Sequence, residues 1–254
     1  MKFIYMLPMA AAWMFACGFA QAHGPQIQLT GEMGQIVTRR MFANEPYHPL
    51  QAETRIYVIP VGEVGGNLFV KPPTAGTSGP GIAVGLGYDD DPNTHPFQSG
   101  EYTLKFTDGL LKWNGASFED AGSAQLRANK TVATATTTDS GPFETLTWEI
   151  IVDSSDAHSG LTYRFLGDGL SPTSELADGI YLASLQLAHG TLIDSEPFYY
   201  VLPHNSALSE AQSAAEYWAG LHAIPAGAIQ VVPEPAALVL VAVSAAVFPW
   251  RRKS

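Results

Sequence analysis

The chain has 254 residues, 46% of them hydrophobic and only 15% charged, with a formal net charge of −11. That balance allows a substantial apolar core and excludes nucleic acid as a partner, because an acidic surface repels phosphate. The one cysteine, Cys17, lies in the N-terminal apolar run, so a mature body lacking that run has no disulfide, no thiol nucleophile and no cysteine-bound metal.

At the N-terminus, Met1-Lys2 precedes an uncharged apolar run from Phe3 to Phe19, and Ala20-Gln21-Ala22 follows it. A short positive start, an apolar stretch and small residues at the −3 and −1 positions form the pattern of a secretory signal peptide, predicted over 1–22 with cleavage after Ala22. His23 would then open the mature chain, where its α-amine and imidazole can grip one metal ion together. Paired nitrogen donors suit Cu(II), which favours square-planar coordination. A mature His-Gly start is similar to bacterial lytic polysaccharide monooxygenases. That resemblance implies a copper ion on an immunoglobulin-like sandwich, a second histidine and a nearby axial aromatic. His95 or His204 is the candidate second imidazole, and Tyr199 or Tyr200 the candidate aromatic.

Short β-prone runs separated by turn clusters occupy the middle of the chain. Strands are expected at 35–42, 54–59, 67–71, 81–86, 101–107, 131–137, 145–152, 161–166, 179–188 and 197–202. Period-two alternation is clearest at Tyr102-Thr103-Leu104-Lys105-Phe106 and from Ile180 to Leu187, the pattern of strands with one buried face. Asp108-Gly109, Asn114-Gly115, Asp168-Gly169 and Asp178-Gly179 supply turn chemistry. About ten short strands at this spacing predict a mainly β body over 23–204, of β-sandwich or jelly-roll type. The Pro- and Gly-rich stretch 71–81 reads as a loop within it.

Inside that body, Asp89, Asp90 and Asp91 precede Pro92-Asn93. Three carboxylates with an amide in one loop can bind Ca²⁺ through hard oxygen ligands, although the spacing is not that of an EF-hand. Trp113, at the Asn114-Gly115 turn, and Trp148, in mid-strand, are candidates either for stacking on sugars or for core packing. No Gly-x-Ser-x-Gly elbow, dinucleotide fingerprint or phosphate-binding loop is present, and no carboxylate pair reads as catalytic.

One helix is expected over 205–221. Ala207, Leu208, Ala211, Ala215 and Trp218 form an apolar stripe, Asn205 or Ser206 is placed to cap it, and it is expected to pack on the end of the sandwich. A linker over 222–231 follows.

The last stretch, 232–254, has three parts in order. Val232-Pro233-Glu234-Pro235 comes first, an uncharged run from Ala236 to Trp250 second, and Arg251-Arg252-Lys253 third. The fifteen residues of 236–250 span about 22 Å as a helix, against a hydrocarbon core of about 30 Å that flanking Trp and Arg can help to bridge. The basic cluster belongs on the cytoplasmic side, which places the body outside. Together these parts resemble the PEP-CTERM sorting signal. The resemblance covers about 22 residues and implies processing by an exosortase in a Gram-negative-type envelope, often alongside exopolysaccharide. The expected partners are therefore the secretion machinery, an exosortase, the inner membrane through 236–250, and extracellular polysaccharide. The function expected is that of an exported, non-catalytic adhesive or structural protein. A copper-binding protein or monooxygenase centred on His23 and a calcium-stabilised carbohydrate-binding module are the alternatives.

Overall fold

A computed structural model describes residues 26–42, 52–70, 81–85, 94–95, 100–138, 143–150, 156–167, 171, 173 and 175–232. The expected signal residues Ala20 and Ala22, His23, Asp89, Asp90 and Asp91, and the tail residues Pro233, Glu234, Pro235, Arg251, Arg252 and Lys253 lie outside them, as does the expected span 236–250. Among the described residues no helix is long and apolar enough to cross a membrane.

The described chain is mainly β, in three sheets. The first contains β1 (Gln26–Glu32), β2 (Gln35–Phe42), β6 (Gly81–Gly85), β7 (Thr94–His95) and β14 (Asp156–Ser159). The second contains β4 (Val61–Val64), β5 (Asn67–Val70), β11 (Gln125–Lys130), β12 (Ala133–Thr136) and β15 (Thr162–Leu166). The third is the largest. It contains β3 (Ile56–Val58), β8 (Gly100–Phe106), β9 (Leu111–Trp113), β10 (Phe118–Asp120), β13 (Thr145–Ile150), β16 (Gly179–His189), β17 (Phe198–His204) and β18 (Ile229–Val231). All ten expected strands are present, with ends that differ from the expected ones by no more than two residues. Turn chemistry closes the hairpins: Met33-Gly34 and Gly65-Gly66 both take left-handed conformations in two-residue turns, the twist that fits tight β-connections.

Alternation places the core. On β8 and β13, Tyr102 faces Trp148 and Leu104 faces Leu146 from the buried side. Thr103 and Thr147 share a 2.9 Å hydrogen bond on the outer side. Side chains from all three sheets meet in one core, among them Ile27, Leu29, Tyr57, Tyr163, Phe165, Tyr181, Phe198 and Tyr200. Trp148 belongs to this core, only 6% exposed, so it offers no face to a sugar.

Three strands of the third sheet are buried on both sides, which corrects the one-sided reading of 180–187. Tyr57, Tyr181 and Tyr200 face the main core, while Ile56, Val58, Ile180, Leu182, Tyr199 and Val201 face a second cluster. The helix α1 (Leu208–Leu221) covers that second face. It therefore packs across a sheet, not on the end of a sandwich. The reason is topological. β17 and β18 both pair in parallel with β3, and a parallel return requires a crossover, here α1.

Two further expectations are corrected. The helix starts at Leu208, with Ala207 as N-cap and no side-chain cap. Ser206 instead donates to the His204 carbonyl, and Asn205 donates to Asp178 at 2.8 Å. The stretch 222–231 is not a free linker. It closes the helix, makes a 3-10 turn at Ala226–Ala228 and ends in β18. His222 to Val231 is apolar enough to supply Ile224 and Ala228 to the second cluster.

Candidate functional site

The second cluster reaches the surface where the β9–β10 hairpin meets α1. The turn between β9 and β10 is tightly held. The side-chain oxygen of Asn114 accepts the backbone N–H groups of Ala116 and Ser117, each at 2.9 Å. Its side-chain NH₂ donates to Ser117 Oγ at 3.2 Å and to Glu119 Oε2 at 3.3 Å, and Gly115 takes the left-handed conformation at φ +100°. An Asn side chain that mimics backbone in this way is an Asx turn. It makes Trp113 and Phe118 direct cross-strand partners, with ring centroids 5.2 Å apart.

The helix completes the surface. Tyr217 stands 5.1 Å from Trp113, and Trp218 packs edge-on against Phe118 at 5.5 Å. Trp218 in turn contacts His222 at 4.3 Å and Tyr199 at 5.5 Å. Trp113 and Phe118 are half-buried, Tyr217 is 37% exposed, His222 is exposed, and Leu221, one turn after Tyr217, is 60% exposed. The outcome is a ridge of aromatic edges and faces, fixed from below by Tyr199 and Trp218. Burial raises the Tyr199 phenol above its ordinary range, with Arg55 opposing it, so Tyr199 acts as a neutral floor.

Rings at these separations are favourably tilted or edge-on to one another and contribute about 0.5–1.5 kcal/mol per pair beyond area burial. The ridge is therefore ordered before any ligand arrives. Polar groups on its rim, the Tyr217 hydroxyl and the His222 imidazole, can exchange hydrogen bonds with a polar ligand whose C–H face lies on the rings. The arrangement can bind. It presents no nucleophile beside a base.

Of the sequence-predicted metal residues, His95 and His204 are among those described. His204 ends β17 and is 6% exposed. Its Nδ1 is buried, 3.9 Å from Asp178 Oδ1, beyond hydrogen-bond range. His95 lies in β7, opposite Gly31 of β1 in another sheet. The β1–β2 turn beside it meets Ile193, just beyond the C-terminal end of β16, whereas His204 pairs with Gly179 at the other end. An eleven-residue strand runs about 30 Å, so the two alternative second histidines stand far apart, and His23, which either one would join, lies outside the described residues. Tyr199 and Tyr200 occupy opposite faces of β17, and both are buried. Tyr200 lies four residues, about 13 Å, before His204 along the strand. Among the described residues, no three of His, Cys, Asp and Glu gather closely enough to hold a metal ion.

Of the ridge, sequence reading singles out Trp113 as a sugar-stacking candidate and places Trp218 on the helix stripe. It misses Phe118, Tyr217 and His222. The signal for Phe118 is present, since Trp113 and Phe118 bracket the Asn114–Ser117 turn and must face each other if it closes a hairpin. Tyr217 is also visible as a large ring off the buried alanine stripe.

No family model matches the chain, and no curated protein matches it. Among solved structures, the chain is similar to the receptor-binding domain of the plasmid-borne adhesin MrkD1P of Klebsiella pneumoniae at 10% identity. The match covers 74% of this chain and 96% of that one, with a TM-score of 0.17. A likeness at that score carries no argument about fold or function.

Proposed function

We propose that the chain is an exported envelope protein of the PEP-CTERM type, processed by an exosortase-like enzyme. Its β-rich body then has a non-catalytic, adhesive role on neutral extracellular polysaccharide. The sandwich-like body, the signal segment 1–22 and the tail 232–254 with its apolar run belong to the same reading. The sequence patterns at 1–22 and 232–254 support the address, and the aromatic ridge of Trp113, Phe118 and Tyr217 supports the adhesive role.

Ligand class follows from charge and shape. With a net charge of −11, the chain disfavours polyanions such as alginate or phosphorylated glycans. A neutral glycan carries no such penalty, and its pyranose rings offer C–H faces that match aromatic platforms. Exposed apolar groups rimmed by polar ones mark contact surfaces in general.

Affinity electrophoresis in gels containing hydroxyethyl cellulose, glucomannan or alginate tests this. The protein should be retarded by at least one neutral polymer and not by alginate. Tyr217→Ala and Trp113→Ala should each weaken retardation about tenfold, the equivalent of ~1.4 kcal/mol, with the circular dichroism spectrum unchanged. Retardation by a neutral polymer that survives both substitutions would assign binding elsewhere. No retardation by any neutral polymer would remove the adhesive reading.

A further inference from the structure

We infer that Arg127 and Arg164 form a binding site for one small tetrahedral dianion, of the inorganic phosphate or sulfate class, on the outer face of the second sheet. The site shares no residue with the aromatic ridge and does not depend on the adhesive reading.

Register brings the two cations together. β11 and β15 are antiparallel, with Leu126↔Phe165, Arg127↔Arg164 and Ala128↔Tyr163 as direct partners. Leu126, Ala128, Tyr163 and Phe165 all belong to the main core. Alternation therefore turns Arg127 and Arg164 to the other face, side by side, with Cβ atoms about 5 Å apart. Both are half-buried. Like charges directly opposite one another destabilise a sheet. The chain has 24 acidic residues against 13 basic ones, so carboxylates are plentiful, and yet the sheet sets Arg against Arg.

The described residues do not neutralise the pair. Arg127 Nε donates to Thr136 Oγ1 of β12, an uncharged acceptor, at 3.1 Å. Glu144 approaches the same strand, but its Oε2 accepts the Thr136 N–H at 2.7 Å. Among the described residues, no carboxylate stands within ion-pair distance of either guanidinium. The Nε of Arg164 is shielded from water and has no hydrogen-bond partner among them either. Gln125, diagonal to Arg164 on the same face, does not relieve it, for its own side-chain oxygen is also buried without a partner. Arg164 has thus given up hydration without gaining an acceptor, a cost that folded proteins seldom carry at random.

The class of ligand follows from counting charges and donors. Two guanidiniums carry two positive charges, and each offers a planar fork of N–H donors that fits adjacent oxygens of an oxyanion. One tetrahedral dianion has oxygens enough for both forks, and its two charges cancel both cations. A monocarboxylate supplies half the charge and fewer oxygens. The net charge of −11 repels a long polyanion laid across the surface. Salt screens that field beyond about 8–10 Å, so a single small ion at the pair responds mainly to the two guanidiniums.

Isothermal titration calorimetry of the full-length protein with sodium phosphate, sodium sulfate and sodium acetate, at neutral pH and constant ionic strength, tests the site. Phosphate and sulfate should bind one to one, and acetate about tenfold more weakly. Arg127→Gln and Arg164→Glu should each weaken phosphate binding about tenfold or more, the loss expected of one charge-assisted contact. Arg164→Glu should also raise the urea midpoint, because it sets a carboxylate opposite Arg127, so its loss of binding is not a loss of fold. Phosphate binding that survives both substitutions, acetate binding as tight as phosphate, or no saturable heat with either dianion would each overturn the site.

Discussion

Ala223 sits just past the end of α1 with φ at +52°. The adjoining hydrogen bonds explain why: His222 N–H reaches the Trp218 carbonyl, and Ile224 N–H reaches back to the Ala219 carbonyl at 2.9 Å. This is a Schellman-type ending, with buried Ile224 as its apolar anchor. A left-handed alanine costs about 1 kcal/mol that glycine avoids. Ala223→Gly should therefore stabilise the protein by about 0.5–1 kcal/mol, read as a higher urea midpoint at unchanged slope. A lower midpoint would mean that the turn is not left-handed in solution. His222, the C-cap of α1, directly precedes this residue, so the same turn sets the backbone that carries the ridge's imidazole.

At the scale of elements, the helix approaches the sheet through small side chains. Ala211, Ala214, Ala215 and Ala219 are its buried residues, the first three at 0% exposure and Ala219 at 4%. Close approach is what lets Tyr217 and Trp218 reach rings on the β9–β10 hairpin. Ala215→Leu should force the helix outward and cost about 1–3 kcal/mol, measured as a fall in urea midpoint. Glycan retardation should weaken with it, because the ridge spans both elements. If Ala215→Leu is neutral, the helix is not packed as described.

This element scale also shows what sequence can and cannot reveal. Strands such as 102–106 and 145–150 are legible because a single solvent-facing side writes a period of two into the text. β18 is not, since three residues are too few for a period and its partner β3 lies far away in sequence. β1 has Ile27 and Leu29 in alternation, but Gln26 and Gln28 mask it as polar text beside the N-terminal run. β9 and β10 are three residues each, visible only through the Asn114-Gly115 turn between them. The helix was legible from its alanines, while its docking face followed from parallel pairing that no local pattern encodes. For the same reason Trp113 stands out alone in the sequence, and the ring beside it, Tyr217, comes from an element about a hundred residues later.

For the molecule as a whole, the core is unusually rich in phenols. Tyr57, Tyr102, Tyr163, Tyr181 and Tyr200 are all essentially inaccessible. Burial raises the first three and Tyr200 well above the ordinary value of 10, and pushes Tyr181 up to about 12, with the Asp178 carboxylate adding to it. The sign follows directly. The folded state keeps these protons, whereas the unfolded chain releases them from about pH 10, so stability is full below pH 10 and falls as pH rises beyond it. The buried phenols should ionise only together with loss of the β-type circular dichroism signal, as a single cooperative step in tyrosinate absorbance. Smooth ionisation of every tyrosine with the fold intact would contradict the described core.

The ridge is where fold and proposed role meet, and its contact with glycan can be read residue by residue. A ¹H–¹⁵N spectrum of the protein, titrated with soluble oligosaccharides of the neutral polymer that retards it, should show shifts concentrated in two segments. These are residues 111–120 and 213–222, including the indole N–H groups of Trp113 and Trp218. Saturating shifts there, absent in Tyr217→Ala, are the predicted result. Saturating shifts confined to other surfaces, with both segments silent, would contradict it.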